Sequence, residues 1–113
     1  MNELTPAAIV ATFAKLAKEI EEKALEIDHL DAEFTAYKVN YQTAFAKAFL
    51  SATGAENQKR YTAVDATDAE LWDMEVTEQK LRAAKEALKV LRDRLEIGRS
   101  MSAIMRMEWS NNV

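Results

Sequence analysis

The chain has 113 residues, of which 49% are hydrophobic and 30% charged, with a formal net charge of −4. Its length fits a single domain, and its two glycines and one proline favour helices over a sheet rich in turns. The absence of cysteine excludes disulfides and thiolate metal sites, and the single histidine excludes an ordinary zinc site.

No run of apolar residues approaches the roughly 20 needed to span a bilayer, and the first ten residues lack the pattern of a secretory signal. We therefore expect a soluble, cytoplasmic protein without a membrane partner. Charge is unevenly distributed: the first 56 residues hold five basic and nine acidic residues, whereas 78–113 hold eight basic and five acidic residues.

A first helix is predicted over about 6–52. Thr5 can cap it, Pro6 suits its first position, and Gly54 suits a left-handed conformation at its end. Its apolar positions alternate in steps of three and four, as in a coiled coil, with Lys23 the one charged exception. This first-helix seam comprises Ile9, Phe13, Leu16, Ile20, Lys23, Ile27, Leu30, Phe34, Tyr37, Tyr41, Ala44 and Ala48.

The stretch 53–66 is the least periodic part of the chain. It is predicted to be a linker, either extended or containing a short middle helix. It carries the basic pair Lys59 and Arg60 next to Tyr61. A basic pair beside an aromatic residue is typical of single-strand nucleic-acid binding, so these three residues are candidate contacts.

A second helix is predicted over about 67–109, because Thr67 and Glu70 have the spacing of a capping box. It carries an unbroken three-four alternation, which keeps one face toward a neighbour. This second-helix seam comprises Met74, Thr77, Leu81, Ala84, Leu88, Leu91, Leu95, Gly98, Ser102, Met105 and Trp109. The residues predicted to contact other copies of the chain are Leu81, Leu88, Leu91, Leu95, Gly98, Met105 and Trp109.

The predicted fold is all-α, with two long helices in an antiparallel hairpin or coiled coil. A two-helix pair covers only one side of each helix, so apolar residues off the seams predict assembly into a helical homo-oligomer. These surplus residues are Phe45, Phe49, Leu50, Leu71, Trp72, Val90, Ile97, Ile104 and Met107.

A row of basic residues runs beside the second-helix seam. It will be called the basic stripe and consists of Arg82, Lys85, Lys89, Arg92, Arg99 and Arg106. Two interpretations remain open. Its members either pair with first-helix acids such as Glu19, Glu22, Glu26 and Glu33, or form a track for nucleic-acid phosphates.

Catalysis is not expected. His29 has no serine or cysteine partner pattern, and acidic pairs such as Glu21 and Glu22 fit a solvated helix face better than an acid/base dyad. No glycine-rich phosphate loop or metal-spaced carboxylate set occurs, so no cofactor, metal or small-molecule substrate is predicted.

Two stretches resemble a known family: YQTAFAKAFL at Tyr41 to Leu50, and RAAKEALKVLRDRLEIGRSMSAIMRMEW at Arg82 to Trp109. With the basic pair between them, they are similar to phage-encoded recombination mediators of the UvsY type. The resemblance implies a non-enzymatic oligomeric accessory protein in the cytoplasm of a bacterial host, which binds single-stranded DNA and assists a recombinase. It also implies that Lys59 and Arg60 contact DNA and that Arg99 supports assembly.

A protein of another class is the alternative. The acidic run of the first helix can imitate phosphate charge, so the chain can also be interpreted as a helical protein-binding module. Examples are a phage inhibitor of a host defence complex and an assembly chaperone. The run comprises Glu19, Glu21, Glu22, Glu26, Asp28, Asp31 and Glu33.

Overall fold

A computed structural model describes residues 5–111 and contains three helices: α1 at Pro6–Ser51, α2 at Glu56–Ala66 and α3 at Asp68–Asn111. Helices account for 94% of the described residues, and no strand occurs among them. The all-α prediction is confirmed, and the stretch predicted as a linker holds the short middle helix. None of the described helices is both long and apolar enough to span a bilayer.

The start of α1 follows from Thr5 and Pro6. The hydroxyl oxygen of Thr5 accepts a hydrogen bond from the backbone N–H of Ala8 at 3.1 Å, which satisfies an amide without a partner in the first turn. At the other end, α1 stops at Ser51, and Gly54 has a φ of 103° in the turn before α2. The predicted cap and left-handed glycine are both confirmed.

The capping box predicted at Thr67 and Glu70 is wrong. The Thr67 hydroxyl instead donates to the carbonyl oxygen of Ala63 at 2.7 Å, and the Thr67 N–H donates to that of Val64 at 3.3 Å. Only Thr67 separates α2 from α3, so its hydroxyl and N–H satisfy carbonyls at the end of α2, while its carbonyl oxygen accepts from the Leu71 N–H in the first turn of α3 at 3.0 Å. Atom Oε2 of Glu70 is left buried without a hydrogen-bond partner.

The described chain forms two compact units. The central unit, Ile27–Ala83, contains α2 with the adjoining parts of α1 and α3. The residues buried in it are Leu30, Ala63, Thr67, Thr77 and Leu81.

The terminal unit consists of residues 5–26 and 84–111. There α1 and α3 run in opposite directions: the residues from Pro6 to Phe13 lie beside those from Ser102 to Trp109, and those from Glu19 to Glu26 lie beside those from Ala87 to Arg94. Its buried residues are Ala84 and Leu91.

Both seams face the interior of the chain. Every residue of the first-helix seam is buried or half-buried, Lys23 included, and so is every residue of the second-helix seam except Trp109. Leu81 and Leu91, predicted to contact other copies, are buried within one chain at 6% and 9% exposure and offer a second copy little surface. Contacts between copies through the half-buried Leu88, Leu95, Gly98 and Met105 stay a prediction.

Candidate nucleic-acid interface

The basic stripe lies on the exposed surface of α3. All six of its side chains are exposed; Arg82 belongs to the central unit, and the other five belong to the terminal unit. Successive residues of an α-helix are turned by about 100°, so Arg92 lies on one flank of the buried Leu91 and Arg94 on the other. The stripe thus follows a single flank of the second-helix seam.

The stripe residues that form ion pairs use partners on their own helix. Arg82 contacts Glu78 at 2.8 Å and Arg99 contacts Glu96 at 2.9 Å. Within residues 5–111 all five ion pairs join residues three or four positions apart. The interpretation in which the stripe pairs with Glu19, Glu22, Glu26 and Glu33 is therefore not what the structure shows.

The direction of α1 explains why the basic stripe and the acids of α1 do not form ion pairs in the terminal unit. Glu19, Glu22 and Glu26 line a groove with Arg94, which lies on the opposite flank of α3 from the stripe. We call this the acidic groove. Its other lining residues are Lys23, Ala87, Val90 and Leu91. Because α1 runs antiparallel to α3 here, its acids are placed beside Arg94 and away from Arg92.

Lys59, Arg60 and Tyr61 lie on α2 rather than in an extended linker. Lys59 is half-buried, Arg60 is exposed with its guanidinium 3.8 Å from the Glu56 carboxylate, and Tyr61 is 78% exposed. Consecutive helical residues point in directions about 100° apart, so these three side chains do not form one flat patch. Arg60 and Tyr61 are nevertheless accessible to a ligand.

A second groove of the terminal unit, here called the Trp109 groove, lies where α1 begins and α3 approaches its end. Its α1 side consists of Pro6, Ile9, Val10 and Phe13, and its α3 side of Ser102, Met105, Arg106 and Trp109. The seam pattern predicted Trp109 as a contact between copies; its side chain is 66% exposed in the single chain, and that contact stays a prediction. The sequence analysis did not predict this groove; the signal that could have indicated it is the spacing of Arg106 and Trp109, which puts both on one helix face.

His29, the only histidine, is an exposed side chain 3.9 Å from Glu33 on the next turn of α1. Within residues 5–111 no three or more His, Asp or Glu side chains are grouped so that they could hold a metal ion. The prediction that the chain is not an enzyme stays a prediction.

No protein-family model matches the chain, and comparisons with curated proteins and with solved structures likewise give no match. The resemblance to UvsY-type recombination mediators accordingly depends on the two stretches quoted above.

Proposed function

We propose that this chain is a non-enzymatic helical protein that binds single-stranded DNA along the basic stripe. The observation that supports this most directly is the exposure of all six stripe side chains, five of which lie in the terminal unit on the flank of α3 away from Glu19, Glu22 and Glu26. A role beside a recombinase, and an origin in a phage acting in the bacterial cytoplasm, are suggested by the resemblance alone.

The charge on the stripe is available to phosphates despite the net charge of −4. Lys85, Lys89, Arg92 and Arg106 have no carboxylate within 4.0 Å in the described part of the chain. Exposed ion pairs such as those of Arg82 and Arg99 are worth about 1 kcal/mol at most, so a phosphate can compete for them. Four phosphate contacts predict a fall in affinity of roughly 50-fold between 50 and 200 mM salt.

We also propose that α1 and α3 form an antiparallel coiled-coil hairpin that self-associates through an apolar stripe on α3. This stripe consists of Val90, Ile97, Met101 and Ile104, which are between 48% and 61% exposed and recur in steps of three, four and seven residues. A helix face of this kind is stabilised when a second apolar face covers it. An assembly would carry several basic stripes and so raise the local positive potential.

Fluorescence anisotropy with a labelled oligo-dT tests the DNA-binding proposal. We expect low-micromolar or tighter binding at low salt. The variant Lys85→Glu/Lys89→Glu/Arg92→Glu should bind with an affinity at least about tenfold lower. The matched control is Lys15→Glu/Lys18→Glu/Lys38→Glu, which changes the net charge by the same amount at exposed positions of α1. Its affinity for oligo-dT should fall much less. Equal losses in the two variants, or no binding by the unmodified chain, would refute the proposal.

The residues on α2 are tested separately with Lys59→Ala/Arg60→Ala. If α2 contributes to the same binding surface, this variant binds oligo-dT more weakly and its affinity depends less steeply on salt. Unchanged affinity and salt dependence would confine the interface to α3.

The acidic groove favours a second candidate, a module that binds a basic protein. Three carboxylates line this groove beside the half-exposed Val90, a combination that suits a basic partner with apolar side chains. The second candidate predicts that the chain does not bind oligo-dT. It also predicts one stoichiometric protein partner in host lysate, lost in Glu19→Gln/Glu22→Gln/Glu26→Gln. Oligo-dT binding that this variant leaves unchanged would count against it.

A further inference from the structure

The Trp109 groove lies at the end of the basic stripe. Arg106 belongs to both, and Arg99 precedes it by two helical turns, roughly 10 Å along the axis of α3. The stripe therefore leads directly into a groove lined mostly by apolar and aromatic side chains. A ligand that carries negative charge along its length and ends in an apolar group would contact both features at once.

The groove brings together an indole ring and a guanidinium group. Trp109 and Arg106 are three positions apart on α3, so their side chains lie on the same face of the helix. An indole offers a flat surface on which any base can stack, and a guanidinium forms paired hydrogen bonds with a phosphate. A nucleotide of a single strand carries both an unstacked base and a phosphate, whereas bases inside a duplex are already stacked on one another.

Phe13 contributes a second aromatic ring to the groove, and its position is set by Gly98. A Cβ atom at Gly98 would lie 2.8 Å from Cε1 of Phe13, closer than van der Waals contact allows. The glycine thus lets Phe13 pack directly against the backbone of α3. Phe13 on α1 and Trp109 on α3 thus line the same groove.

We propose that the Trp109 groove binds one unpaired base of single-stranded nucleic acid, which stacks on Trp109 while Arg106 contacts an adjacent phosphate. This inference rests on the proposed function, because the rest of the strand would follow the basic stripe. Arg99 and Arg106, the two stripe residues nearest the groove, carry positive charge, which favours a nucleic-acid strand in the groove over an uncharged apolar segment.

The chain's second tryptophan supplies a matched control. Trp72 is 68% exposed and Trp109 is 66% exposed, but Trp72 lies in the central unit, outside the groove. We expect Trp109→Ala to weaken oligo-dT binding by about tenfold and Trp109→Phe to restore most of the affinity, because stacking needs an aromatic face. Trp72→Ala should change the affinity by less than about twofold, since stacking at Trp109 is unaffected.

Fluorescence reports the contact directly. In Trp72→Phe the remaining tryptophan is Trp109, and we expect its emission to be quenched as oligo-dT is added, in parallel with the anisotropy. In Trp109→Phe the emission of Trp72 should not change. Circular dichroism of each variant establishes that the helices are retained before affinities are compared.

The possible failures can be told apart. If oligo-dT binds through the stripe but Trp109→Ala binds as tightly as Trp72→Ala and Trp109 emission is unchanged, the groove proposal is overturned and the proposed function stands. If the unmodified chain does not bind oligo-dT, both are overturned. If Trp109 emission changes with protein concentration alone and not with oligo-dT, a second copy occupies the groove, which also overturns the proposal.

Discussion

The contact between Gly98 and Phe13 allows a quantitative test of how α1 and α3 pack in the terminal unit. Replacing Gly98 by alanine has two opposing effects. Alanine is favoured over glycine inside a helix by about 1 kcal/mol. The added methyl group would however lie 2.8 Å from Cε1 of Phe13, and crowding of this kind costs about 1–3 kcal/mol.

We therefore expect Gly98→Ala to leave the free energy of unfolding unchanged or to lower it by up to about 2 kcal/mol. The change in the free energy of unfolding should have the opposite sign when Phe13 is replaced by a shorter side chain. Leucine at position 13 has no atom equivalent to Cε1, so in Phe13→Leu the same Gly98→Ala change should raise the free energy of unfolding by about 1 kcal/mol. The difference between the two backgrounds isolates the contact between the residues.

Urea unfolding followed by circular dichroism at 222 nm measures all four free energies. Ser100→Ala, at an exposed position two residues from Gly98, is the control and should give the same small gain in both backgrounds. If Gly98→Ala stabilises the chain equally with phenylalanine and with leucine at position 13, the two residues are not in contact and the described packing is refuted.

Three further predictions concern burial, backbone conformation and association. Leu91→Ala should lower the free energy of unfolding by about 2–3 kcal/mol because Leu91 is 9% exposed. Val90→Ala, at a 48% exposed position, should lower it by less than about 1 kcal/mol. Equal decreases for the two variants in urea unfolding would contradict the assigned burial. Gly54→Ala should cost about 1 kcal/mol because φ is 103° there, and a more stable variant would contradict that conformation. Ile97→Glu/Ile104→Glu should reduce the mass measured by light scattering at micromolar concentration without loss of helix content, and an unchanged oligomer would show that the apolar stripe is not the contact between copies.

The positions of the helices and of their buried faces were predictable because both depend on local spacing. A residue recurs on the same helix face every three or four positions, so Leu30 and Leu91 could be placed on apolar seams from the alternation alone. That Leu91 packs within one chain, and not against another copy as predicted, could not be read from the spacing. Capping at Thr5 was predictable for the same reason, because the hydroxyl and the amide that it accepts from are three residues apart.

Thr67 shows where local spacing is insufficient. Its distance from Glu70 fits a capping box, yet its hydroxyl donates backward to Ala63. The choice depends on where α2 ends, and α2 was the least periodic element of the sequence. Once α2 extends to Ala66, the carbonyls of its last turn are the closest partners for the Thr67 hydroxyl and N–H.

By itself the sequence determined that this protein is helical, which residues face inward, and that six basic side chains share one flank of α3. Only the tertiary structure decided what lies opposite each flank. Because α1 runs antiparallel to α3 in the terminal unit, Glu19 and Glu26 share a groove with Arg94, while Arg106 lies beside Val10, Phe13 and Trp109. Residues that meet across two helices are set by the direction and register of both, and the period of either helix alone does not contain that information.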